Sequence, residues 1–164
     1  MSWFVLVVAI LAAVVVLGGL FLVATANRLD RLHVRLDAGW AALDAALARR
    51  AVVARAAAVV DDAAPGLREA ADTAEKAPRA EREVAENELT RLLASLDRAR
   101  LPAELAEELS DAEHRVVIAR RVHNDAVRDT LALRRRRKVR YFKLAGTAGQ
   151  PEYFEIAEPP VPGA

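Results

Sequence analysis

The chain of 164 residues is 54% hydrophobic yet only 5% aromatic, contains no Cys, and carries a formal net charge of +1. Disulfides and thiol chemistry are thereby excluded, and an apolar N-terminal stretch leads into one small domain with a tail, too short for two ordinary cores. Ala, Val and Leu must do most of the packing, which suits helices.

Trp3 to Ala26 is a run of twenty-four residues without a formal charge. As a helix rising ~1.5 Å per residue it reaches ~36 Å, enough to cross a hydrocarbon core of ~30 Å with some tilt. A soluble core helix would be shorter and would show a polar face over six turns. A cleaved signal peptide finds support in the small-x-small form of Ala24-Thr25-Ala26, but no Lys or Arg precedes the run, and it exceeds the ~7 to 15 residues of a signal h-region. With no ionisable side chain inside, it offers no polar pathway. The run is read as a single membrane span. Arg28, Arg31 and Arg35 come soon after it while only Met1-Ser2 precedes it. The positive-inside rule then sets the span in the cell (plasma) membrane with the N-terminus outside and the rest in the cytoplasm.

Beyond the span, Leu29, Leu32, Leu36, Trp40, Leu43 and Leu47 keep a helical spacing that continues through Ala54 and Val59. No Pro interrupts it, so one rod is expected to run from the membrane to the break at Asp61-Asp62-Ala63-Ala64-Pro65-Gly66, where acids and Pro suit the start of a new helix. A short Ala-rich helix over 66–76 ends at Pro78. A third helix over 79–98 sets Ala85, Leu89, Leu92 and Leu96 on a bundle seam. Pro102 opens the longest soluble helix, 102–144, whose seam is Leu105, Leu109, Ala112, Val116, Ala119, His123, Ala126, Thr130 and Leu133. Its glutamates come first and its arginines last, matching the helix dipole. The expected domains are an anchor over 1–26, a helical bundle domain over 27–144 and an irregular, Pro/Gly-rich tail over 145–164. In that tail Tyr153, Phe154 and Ile156 are the large apolar residues; they fold back on the bundle, hang free, or form a peptide-like contact for a partner. Truncation after Leu133 is expected to leave the fold intact.

Chemistry is sparse. His33 and His123 sit on separate helices and make two ligands where a metal site needs three or four. His123 on the seam reads as a packed polar residue, and His114 as solvated. Ser2, Ser95 and Ser110 have no His and Asp pattern beside them. Asp37 and Asp44, on a rod with Arg31, Arg35, Arg49 and Arg50, read as exposed ion-pairing groups worth roughly 0.3 kcal/mol each. No catalytic residue, cofactor, metal or small-molecule substrate is expected.

The sharp feature is Arg134, Arg135, Arg136, Arg137, Lys138, Arg140 and Lys143, interleaved with Tyr141 and Phe142: seven cations and no acid, leaving −6 on the remainder of the chain. Elsewhere Lys occurs only at position 76, so Arg richness is a compositional bias of the whole chain and a solvated helix end is the plain reading. The functional readings are contact with anionic lipid, where each cation near the surface contributes ~1 kcal/mol, or binding of nucleic acid or an acidic protein. Nucleic acid is the weaker of these, because no recognised nucleic-acid fold accompanies the charge.

Leu32 to Asp44 (LHVRLDAGWAALD), and then Leu47-Ala48-Arg49-Arg50, resembles the post-membrane helix of the LemA family, with its Ala-Trp, Leu-Asp and Leu-x-Arg-Arg pattern. Glu86-Asn87-Glu88-Leu89-Thr90 is similar to that family's Glu-Asn-x-Leu-Ser segment, Glu108 to Arg115 and Ala119 to Arg128 resemble its last helix, and Pro151 to Glu155 echoes its C-terminal end. The order of the segments carries the resemblance, behind the same single span. Three departures mark a divergent member: Ala51-Val52-Val53-Ala54-Arg55 stands where the family has Asp-Leu-Ile-Pro-Asn, His123 stands where it has Tyr, and the second helix is short. The resemblance implies an all-α fold, an N-terminal transmembrane helix continuous with a long helix of an antiparallel four-helix bundle, found in bacterial membranes and without established enzymatic activity. The expected function is a non-enzymatic, membrane-integral scaffold or adaptor with a protein partner.

Overall fold

The computed structural model describes residues 2–60, 65–135 and 149–157. These residues form four α-helices and one 3-10 turn, with no strand among them. Helix α1 spans Ser2–Val60, α2 Leu67–Lys76, α3 Arg79–Ala94 and α4 Ala103–Arg134. The expected rod is therefore one unbroken helix of 59 residues. Its N-terminal part is long and apolar enough to cross a membrane, and none of its most apolar window of 18 residues is buried within the protein. The one hydroxyl of that part beyond Ser2, Thr25, donates to the Phe21 carbonyl one turn back at 2.9 Å, which satisfies it inside the helix.

The breaks reflect local chemistry. Helix α2 begins after Gly66, whose φ of 86° is a left-handed conformation that a side chain resists; the expected break at Asp61 to Ala64 lies outside the described residues. Pro78, extended at ψ 159°, sets the start of α3. That helix ends four residues short of the expected 98. Ser95 turns its hydroxyl back to the Leu92 carbonyl, and Asp97 accepts the Ala99 N–H, capping the 3-10 turn Arg98–Arg100. In α4 the glutamate of the first turn and the arginine of the last agree with the dipole. The part of the expected helix beyond Arg135 lies outside the described residues.

The chain divides into two compact units, one of Met1–Leu36 with Ala126–Pro151 and one of Asp37–Asp125 with Glu152–Ala164. In the first, Leu29 and Leu133 are buried against each other with Leu32 beside them. Arg35 meets Asp129 at 3.4 Å across the same pair of helices, exposed and so worth little.

The second unit has two apolar clusters. The larger gathers Ala51, Ala54 and Ala57 of α1, Leu67, Ala70, Ala71 and Ala74 of α2, Leu89 and Leu93 of α3, and Leu109 and Ala112 of α4, closed by Leu96 and Leu101 of the connection. The buried positions of α2 fall at i, i+3, i+4 and i+7, a single stripe. Alanine supplies half of this core, so the helices fit by close approach of their backbones rather than by long interlocking side chains. Gly39 shows the same economy of space: a Cβ there would sit 3.4 Å from the His123 Cα. The seam of α4 is buried where expected, at Leu109, Ala112, Val116, His123, Ala126, Thr130 and Leu133, with Leu105 and Ala119 half-buried.

The smaller cluster is Leu43, Leu47 and Val116 together with Phe154 and Ile156. Of the readings open for the tail, folding back is the one observed: Phe154 is 3% and Ile156 8% exposed. This corrects the expectation that the chain can be cut after Leu133. Removing these two side chains would uncover Leu43, Leu47 and Val116, at roughly 1.5–3 kcal/mol for each large side chain that loses its burial.

Candidate functional site

Only the first two cations of the basic run fall among the described residues. Arg134 closes α4 and donates from Nη1 to the Gly149 carbonyl at 2.6 Å. Arg135, in the turn just after it, is exposed. Arg136, Arg137, Lys138, Arg140, Tyr141, Phe142 and Lys143 lie outside the described residues.

The tail is a more complete site. Three helices bring side chains to Glu152–Ala157: Trp40 from α1, Glu83 and Asn87 from α3, and Asn124 from α4. The Asn124 amide makes a paired contact with the backbone of Phe154, its Oδ1 accepting the N–H at 2.9 Å and its Nδ2 donating to the carbonyl at 3.1 Å. On the other edge, Glu83 Oε1 accepts the N–H of Glu155 and Asn87 Oδ1 accepts that of Ala157, each at 2.8 Å. Residues 155 and 157 turn their N–H groups to the same side, as the two-residue period of an extended chain requires. Phe154 and Ile156 therefore point together into the core, while Tyr153, 44% exposed, points away.

Trp40 is the pivot. Its indole meets Phe154 edge-on at 5.6 Å and His123 edge-on at 5.5 Å, and the Arg79 guanidinium lies 3.8 Å over its face. Glu155 reaches Arg120 at 3.7 Å at the rim. His123 is fully buried, and neither ring nitrogen has a hydrogen-bond partner. Burial first, and the Arg79 charge second, hold its pKa below the ordinary 6.5, with the Glu152 backbone pulling weakly the other way. His123 is thus a buried packing residue, as its place on the seam predicts.

Sequence reasoning missed a second constellation. Arg50 and Glu86 are both buried, and their side chains meet at 2.5 Å. Arg50 also donates to the Thr90 hydroxyl at 3.1 Å, while that hydroxyl donates to the Glu86 carbonyl at 2.8 Å. The second Glu86 oxygen takes Arg82 Nε at 3.1 Å. Arg82 continues to Asp44 at 3.1 Å and to the carbonyls of Glu75 and Ala77, where α2 ends. Two arginines and two carboxylates thus balance, tying α1, the end of α2 and α3 together. The expectation that Asp44 is an exposed ion-pairing group holds, its side chain 51% exposed beside Arg82. Of the arginines on the same rod, Arg50 is 1% exposed, whereas Arg49 bridges to Glu108 at 2.7 Å on the surface. Nearby, Arg55 pairs with Asp72 and Glu75 of α2; its pKa is raised and that of Glu75 lowered, chiefly by their mutual hydrogen bond.

No protein-family model, curated protein or solved structure matches this chain. The residues themselves carry the functional argument. Among the described residues no group of three or more His, Asp or Glu side chains could hold a metal ion. His114 is exposed, as the sequence predicts. The signal that could have found the tail site was the asparagines. The chain has only three, Asn27, Asn87 and Asn124. All three occupy helix interiors, where Asn is a poor former, and two of them, Asn87 and Asn124, bind the tail.

Glu86→Ala should destabilise by about 3–5 kcal/mol, because it leaves Arg50 buried without its counter-ion. Arg50→Met with Glu86→Leu should be milder than that single change, since neither charge is then stranded. Thermal melting by circular dichroism decides it, and a double variant less stable than Glu86→Ala would refute the assigned role.

For His123 the depressed folded pKa means that the unfolded chain binds the proton more readily. Stability is then full above about pH 6.5 and falls as the pH drops through the window below it. Melting measured from about pH 7.5 to about pH 5.5 should show this decline, and His123→Phe should flatten it. An unchanged slope in that variant would assign the pH dependence to other groups.

Proposed function

We propose that the protein is a non-enzymatic, single-pass membrane scaffold or adaptor, a divergent relative of LemA proteins, with its helical domain in the cytoplasm. One observation carries this reading: α1 runs without a break from an apolar segment, none of whose most apolar window of 18 residues is buried, into residues that build a core, so the anchor and the domain share a backbone. A helix that crosses a bilayer keeps every backbone group paired within itself. The antiparallel four-helix arrangement belongs to the same proposal. It is supported by α1 and α4 partners that descend in number on one helix as they rise on the other, Gly39 beside His123 and Arg49 beside Glu108.

Arg28, Arg31 and Arg35 support the cytoplasmic side by the positive-inside rule. The basic run that begins at Arg134 serves, in this reading, as a contact for anionic headgroups.

The absence of Cys supplies the test. A single Cys replacing Ser2 or Ala164 is probed in intact cells with a membrane-impermeant thiol reagent. Labelling at position 2 alone is expected; labelling at 164 alone would turn the domain outward. Protection of both until the cells are lysed would remove the span altogether. For the headgroup contact, changing all seven cations of 134–143 to Gln should lower the anionic lipid that co-purifies with the full chain, and an unchanged lipid content would end that part of the proposal.

A further inference from the structure

The tail is held in an unusual way for a terminal segment. The four hydrogen bonds that Asn124, Glu83 and Asn87 make with it all go to its backbone, on both edges of one extended stretch. Backbone contacts of this kind accept any sequence that can extend and offer its N–H groups, and selectivity is left to the side-chain pockets. Here those pockets are two positions apart. Phe154 enters against Trp40, and Ile156 joins Leu43, Leu47 and Val116. Between them Glu155 faces the rim, 3.7 Å from Arg120.

From this geometry we propose that the surface formed by Trp40, Glu83, Asn87, His123 and Asn124 is a peptide-binding groove, filled in cis by Glu152–Ala157, and that its partner ligand is an extended segment of another protein reading aromatic, acidic, aliphatic. The chemistry of the ligand is taken from the occupant that is seated there. An empty groove would leave Leu43, Leu47 and Val116, each at most 1% exposed in the occupied state, open to water, so the groove calls for a substitute rather than a vacancy. The tail acts as a tethered competitor. A short tether gives an effective concentration on the order of mM, so a free segment displaces it only when its own binding is strong or the tail's is weakened. This rests on the adaptor half of the reading above and not on the membrane half, because every residue of the groove lies outside the apolar segment.

The test uses the full chain in detergent and a fluorescent peptide of residues 149–157, GQPEYFEIA, read by anisotropy. In Phe154→Ala/Ile156→Ala the tail loses both anchors, and the peptide should bind saturably at concentrations at least tenfold below any that bind the unaltered chain. A peptide with Pro at the position of Glu155 lacks the N–H that Glu83 accepts and should bind at least tenfold more weakly. Adding Asn124→Ala to the protein should weaken binding by a similar factor. A double variant that melts cooperatively but binds no peptide at mM concentration overturns the proposal, as does equal binding of the Pro peptide. Dimers formed between the double variant and the unaltered chain without any peptide binding would make a second copy the occupant and overturn it too.

A second measurement covers a double variant that does not fold. In Ile156→Cys, the only thiol of the chain sits at a position 8% exposed in the original, and its reaction with a thiol reagent should accelerate saturably as the peptide displaces the tail. A rate independent of peptide would end the proposal by itself, while leaving the topology experiment, and with it the membrane reading, untouched.

Discussion

The contact on which the larger part of the described domain depends is the buried pair of Arg50 and Glu86. A core in which alanine supplies half the buried members has little side-chain relief with which to fix the rotation and sliding of one helix on another. Hydrogen-bonded charges supply that fix. The two side chains meet at 2.5 Å, Thr90 locks the guanidinium, and Arg82 extends the pairing to Asp44 and to the carbonyls at the end of α2. Any slip along the helix axis would strand a charge in an apolar surrounding, so register is defended by the cost of the alternatives rather than by the strength of the pair.

The second dependency runs through the tail. Phe154 and Ile156 are components of the apolar cluster of Leu43, Leu47 and Val116, brought there by a segment without regular structure of its own. Its backbone polar groups are satisfied by asparagine and glutamate side chains standing on helices, which is how an irregular stretch can lie in a partly buried place. Trp40 joins the tail to the helices, with an arginine on its face and two rings at its edge. The packing of the helices and the hold on the tail therefore use the same residues, with His123 buried in the middle and its pKa held low by that burial.

Much of this was legible in the order of residues. A helix is periodic in sequence, so the seam of α4 from Leu109 to Leu133 could be read from its spacing, as could the unbroken α1 and the start of α2 beside Gly66. The end of α3 was misplaced because a single Asp97 side chain, accepting one N–H, outweighed a periodicity that continued through Leu96. The burial of Arg50 was hidden for another reason. Arg49 and Arg50 are adjacent and chemically identical, yet a helix turns about 100° between neighbours, and only one of the two could face α3. Arginine richness throughout the chain removed the compositional contrast that would have singled it out.

By itself, then, the sequence determined what is local: an uncharged run long enough to cross a membrane, helices with their apolar stripes, the turns between them, and a Pro- and Gly-rich tail. These depend on neighbours within a few positions, where spacing and propensity act. Tertiary structure alone decided which charges are paired in the interior and what the tail does, because both rest on residues brought together from far apart in the chain. Glu86 lies 36 positions from Arg50, and Asn87 lies 70 from the backbone N–H it accepts. No periodicity spans such distances; only the packed helices, in which buried polar groups are driven to find partners, select those pairs.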